Sequence, residues 1–96
     1  NYSDYDFDAL VFENIKSHQI TLTNKNETHG VVFNFADFPM LGIWTPNHIK
    51  SPFICLEPWI GCADAPQSNG DFKTKRDLIY VEPNTSKTIN YSIKFF

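Results

Sequence analysis

Ile89-Asn90-Tyr91-Ser92-Ile93-Lys94-Phe95 decides the fold. Ile89, Tyr91, Ile93 and Phe95 alternate with Asn90, Ser92 and Lys94, a period of two that puts apolar side chains on one face of a half-buried strand and polar ones on the other. Similar strand signals recur upstream, and no stretch carries a helical period. Asp8 to Phe12 is short and apolar, His18 to Thr23 alternates Ile20 and Leu22, and Gly30 to Phe35 is rich in Val and Phe. Met40 to Thr45, Phe53 to Glu57 and Leu78 to Glu82 read the same way. Turn chemistry separates them: the polar run Asn24 to Gly30 predicts a hairpin connection, and Pro46-Asn47-His48 and Pro83-Asn84-Thr85-Ser86 predict turns. Six or seven short strands with frequent turns predict an all-β protein, an antiparallel β-sandwich.

Composition narrows the classes of function. The chain has 96 residues, 42% hydrophobic and 16% aromatic, which supplies one core and argues against disorder. A net charge of −3, with the basic residues spread along the chain, argues against a nucleic-acid partner and against an acidic membrane surface. No apolar run reaches the length of a membrane span, and the start has no signal-peptide pattern, so a cytoplasmic location is expected. The chain begins with Asn1 and enters strand-like sequence within its first ten residues, as a piece of a longer protein would. Cys55 and Cys62 are expected to be reduced, because two cysteines make no disulfide framework. Asn1, Asn26, Asn84 and Asn90 each begin an Asn-x-Ser/Thr pattern, which matters only in a secretory compartment.

The chemistry concentrates in Pro52-Phe53-Ile54-Cys55-Leu56-Glu57-Pro58-Trp59-Ile60-Gly61-Cys62-Ala63-Asp64. An extended Phe53 to Leu56 puts Phe53, Cys55 and Glu57 on one face and Ile54 and Leu56 on the other. Pro58 cannot donate a ladder hydrogen bond, so pairing is expected to stop there and open a loop carrying Trp59 and Asp64. Two carboxylates and an indole at a strand mouth suit a sugar, since the ring offers a flat apolar surface and the acids accept hydrogen bonds from hydroxyls. The plainer alternative makes Glu57 half of a structural ion pair, and Trp59 and Trp44 core residues. Asp4, Asp6 and Asp8 do not form a calcium loop, because Ala9 and Ile15 stand where Gly and Glu are required. Asp8, at a strand entrance, is the one placed to point into a site. His18, His29 and His48 are widely spaced, so no metal site is expected, and no phosphate loop, nucleophile elbow or Cys-His pair is visible.

Asp8-Ala9-Leu10-Val11-Phe12, Phe38-Pro39-Met40-Leu41-Gly42-Ile43-Trp44-Thr45-Pro46, the Pro52 to Asp64 run and Gly70-Asp71-Phe72-Lys73-Thr74-Lys75 together resemble the C-terminal part of the aldose 1-epimerase (galactose mutarotase) family, especially its LacX-like branch. The segment around Glu57 and Asp64 is the specific part of that match. The resemblance implies a large antiparallel supersandwich with an open sugar cleft, of which residues 1–96 are the last part of a single domain. It also implies interconversion of the α and β anomers of a free aldose without metal or cofactor. Glu57 falls on the general base, and Asp64, Trp59, Trp44 and Asp8 become cleft residues for the sugar. The family's histidines would come from an upstream N-terminal part of the same protein, the chain's implied partner. A carbohydrate-binding module with the same cleft and no turnover is the competing class, and a sandwich domain for protein contacts is a third.

Overall fold

In the computed structural model, residues 9–47 and 49–96 are described. Asp8 and His48 therefore lie outside the described residues, as does the Asp4 to Phe7 run. Among the described residues six strands form in chain order: β1 (Leu10–Glu13), β2 (Gln19–Thr23), β3 (Gly30–Asn34), β4 (Met40–Trp44), β5 (Cys55–Trp59) and β6 (Ser92–Phe95). They build two antiparallel three-stranded sheets, ordered β1-β4-β5 and β2-β3-β6. A single 3₁₀ turn at Phe72–Thr74, with its start capped by the Asp71 side chain, is the only helical piece among the described residues. The fold is all-β and sandwich-like.

One apolar cluster joins the sheets. Phe33 of β3, Phe35 beyond it and Leu41 of β4 are buried together, and Ile15, Ile20, Phe38, Ile43 and Leu56 pack against them. Phe33 and Phe35 stack with ring centroids 5.9 Å apart, and Tyr91 meets Phe33 edge-on at the same distance. Since residues paired across a ladder share a face, Leu41, Ile43 and Leu56 point inward. Met40, Gly42, Trp44, Cys55, Glu57 and Trp59 consequently stand on the opposite face of that sheet.

The β2–β3 hairpin follows the sequence closely. Asn24 organises its connection: its side-chain oxygen accepts from the Thr28 and His29 backbone N–H groups at 2.9 and 3.3 Å, and its own N–H donates to the His29 carbonyl. Three expectations are corrected. Pairing does not stop at Pro58, which sits opposite Leu41, and the ladder runs on to Trp59 opposite Met40. β5 is an edge strand, where alternate N–H groups face away from the sheet and a proline is tolerated. Leu78 to Glu82 forms no strand, because no described segment pairs with it. The last strand starts at Ser92 rather than near Ile89, since Asp37 captures the Asn90 backbone and side-chain N–H groups at 2.8 and 3.2 Å.

A large apolar surface is uncovered. Ile93 and Phe95 share a face with Phe33 and Val31, yet Phe95 is 75% exposed; the unpaired Ile79, Tyr80 and Val81 are exposed as well. Expressed alone, this chain should bind a hydrophobic dye and sediment above its monomer mass. A sharp cooperative melt with a monomeric mass and no dye binding would contradict this.

Candidate functional site

The outer face of the β1-β4-β5 sheet carries three of the residues that the sequence singled out, Trp44, Glu57 and Trp59. Trp44 is the last residue of β4 and pairs with Cys55; Glu57 lies one step along that face, opposite Gly42; Trp59 ends β5 opposite Met40. Glu57 and Trp59 are joined directly, the indole Nε1–H donating to Glu57 Oε2 at 3.1 Å. Trp44 instead leans on Phe53, ring centroids 6.2 Å apart and tilted by 47°. Trp44, Glu57 and Trp59 are all half-buried, while Met40 and Gly42 on the same face are buried.

Beyond β5 the chain makes a long excursion that returns to the same sheet. Gly61, at φ +77°, donates its N–H to the Asp77 carbonyl at 2.7 Å, so residues 61 and 77 form the neck of the loop. A side chain at Gly61 would meet Leu78 Cδ2 at 2.9 Å, in a backbone conformation that already disfavours one. Two adjoining cavities open along the excursion. One, about 400 Å³, is lined by Trp59, Phe72, Lys75 and Leu78 among others. The next, about 310 Å³, is lined by Asp64, Gln67, Asn69, Lys75 and Arg76 among others. Lys75 and Ala63 border both.

Asp64 therefore lines the second cavity rather than Trp59's, and it is held by Lys75 Nζ at 2.8 Å. The structure brings Glu57 and Trp59 together, sets Trp44 on the same face and leaves Asp64 next door. His18 and His29 lie just before β2 and β3, on the other sheet; His18 packs edge-on against Phe35, and His29 borders an apolar groove with Phe95 and Phe96. Both cysteines are free thiols. Among the described residues no group of three His, Cys, Asp or Glu is placed to hold a metal ion, and no helix is long and apolar enough to cross a membrane.

Three residues of this region went unread in the sequence: Lys75, Arg76 and Gly42. Lys73, Lys75 and Arg76 are three of the eight basic residues within four positions, which was the available signal. Arg76 ties the excursion to β1, its two terminal nitrogens meeting Glu13 at 2.7 and 3.2 Å, and it also contacts Asp77 at 3.0 Å. The hydrogen bonds and then the charge of Arg76 hold the Glu13 carboxyl below its ordinary value. The Glu13 hydrogen bond raises the Arg76 guanidinium, with smaller help from Cys62, from Glu13's charge and from Asp77. A lowered acid pKa means that the stabilisation is fully present above the ordinary carboxylate value of 4.5 and is lost as pH falls through the lower folded value. Both side chains are exposed, so the contribution is modest. In the full-length protein, Glu13→Gln should lower the urea midpoint at pH 7, and the gap from wild type should narrow as the pH is lowered below the ordinary carboxylate value. A gap that does not change with pH would mean that the latch contributes nothing through its charge.

The sequence is similar to two LacX proteins of Lactococcus lactis subsp. lactis, one chromosomal and one plasmid-borne. It is 32% identical to each over 93 residues, which is 97% of this chain and 31% of each relative. No protein-family model and no solved structure matches the chain. The chain thus spans about a third of the length of the curated relatives it matches, and the two LacX proteins are its homologues over nearly all of its residues.

Proposed function

We propose that this chain is the C-terminal part of an aldose 1-epimerase-like sandwich, contributing the general base Glu57 to a cleft that interconverts the α and β anomers of a free aldose. The observation that carries the reading is the Glu57–Trp59 pair on the outer sheet face, in the stretch on which the resemblance rests. The homology to LacX proteins over 97% of the chain supports a carbohydrate-related role. The uncovered apolar area supports an upstream part of the same protein as the partner that closes the sandwich. That part supplies the histidines, no cofactor is needed, and the protein works in the cytoplasm.

The chemistry asks little of this chain beyond one proton acceptor. Glu57 takes the proton of the anomeric hydroxyl; that oxygen's electrons form the aldehyde C=O as the bond from C1 to the ring oxygen breaks. The ring oxygen takes a proton from a histidine acid. Rotation about C1–C2 turns the aldehyde, and closure on its other face returns both protons to their donors. Trp44 and Trp59 provide apolar surface for the sugar ring, with Asp64 and Asp8 as acceptors for its remaining hydroxyls.

Glu57→Gln keeps the shape of the side chain and removes the base. In the full-length protein, polarimetry on freshly dissolved α-glucose or α-galactose should show kcat reduced about 10²- to 10⁴-fold with KM nearly unmoved. Near-normal turnover by the folded variant would remove Glu57 as the base. Sugar binding without mutarotation by wild type would make the protein a carbohydrate-binding module.

A further inference from the structure

The Trp59 side chain has a single hydrogen-bond donor, and it is spent on Glu57. The indole Nε1–H reaches Oε2 at 3.1 Å, so it is not offered to a sugar hydroxyl. The ring's position depends on a residue across the ladder. Gly42 sits opposite Glu57, and a Cβ added there would stand 3.0 Å from Trp59 Cε2, 3.1 Å from Cζ2 and 3.2 Å from Nε1. The nitrogen-bearing edge of the indole thus occupies the space that any other residue's side chain would fill. A glycine inside a strand weakens it and marks a close approach, and here the approaching group is the indole.

A carboxylate at the end of a Glu side chain turns about a broad, roughly two-fold terminal torsion and has no preferred plane of its own. A general base must lie within hydrogen-bond reach of its proton, and a misplacement of about 1 Å costs on the order of 10²-fold in rate. We propose that Trp59 is a positioning residue for Glu57: its N–H holds Oε2 and thereby presents Oε1 to the anomeric hydroxyl, and Gly42 is the slot that admits the ring. This rests on the reading of Glu57 as the base. The indole face remains free to carry sugar surface; the N–H is what sets the geometry of the acceptor.

Trp59→Phe keeps an aromatic ring and deletes the donor. In the full-length protein the mutarotation kcat per folded molecule should fall about 10- to 100-fold, the range spanned by a hydrogen bond to a charged group, with KM changed by less than about twofold. Gly42→Ala, which asks the same indole to give by a few tenths of an ångström while leaving its N–H intact, should lower kcat by less than Trp59→Phe does, with KM again nearly unmoved. In ¹⁵N-labelled protein the Trp59 indole cross-peak should move in Glu57→Gln, a readout that needs no activity and no Trp59 variant that folds. A raised KM with kcat held makes Trp59 a sugar platform and overturns the positioning role, as does an indole cross-peak unmoved by Glu57→Gln. Glu57→Gln inactive beside a fully active Trp59→Phe removes positioning alone, whereas a fully active Glu57→Gln removes the base and its positioning residue together.

Discussion

Along β4 the odd-numbered side chains, Leu41 and Ile43, pack into the cluster built on Phe33 and Phe35, so the even-numbered positions must face the other way. β4 is also the central strand of its sheet, pairing with β1 on one side and β5 on the other. Burial of Leu41 therefore sets the register of three strands at once. A slip of one residue would turn Gly42 into the core and Leu41 into the site, at the cost of the apolar burial that joins the two sheets. The same constraint aligns Gly42 with Glu57 and leaves the space that the Trp59 ring fills. Core and candidate site are two faces of one ladder.

The strands were legible where alternation coincided with an available partner. β2, β3 and β4 form within a residue or two of the stretches that their patterns mark, and the Asn24 connection turns as its polar composition requires. Leu78 to Glu82 has the composition of a strand and stays unpaired, because strand propensity measures fit to a neighbouring surface and no described neighbour supplies one. At the C-terminal end, alternation begins at Ile89 but the ladder begins at Ser92; a side chain far away in sequence, Asp37, takes the Asn90 N–H, and no local pattern announces that contact. Pro58 was misread for a related reason. Whether a proline ends pairing depends on whether its strand is central or at an edge, which a single segment does not reveal.

The site was legible in its residue types and less so in its geometry. Glu57 and Trp59 are two apart, and period-two alternation alone puts them on one face once the strand runs through Pro58. Gly42 inside an apolar strand was a readable sign of close approach, although the approaching group comes from β5 and only the register names it. Asp64 looked like a neighbour of Trp59, yet the loop carries it to Lys75 in the adjoining cavity. The Arg76–Glu13 contact joins two exposed, unremarkable charges across most of the chain, and nothing short-range predicts it.

The ladders also differ in how much chain each must close. β2 and β3 are consecutive, and their ends are held by the Asn24 hydrogen bonds, so that hairpin needs only a short loop to form. β6 reaches β3 from far along the chain, across the whole excursion and both strands of the other sheet's β4–β5 pair. The entropy of loop closure rises with the length enclosed, and contacts distant in sequence are rewarded late. The Asn24 hairpin is accordingly expected to form first, and β6 to dock last. Until it does, Phe33 and Val31 lack their neighbours on one side, and the free edge of β3 is the part of the folding chain most open to a wrong strand.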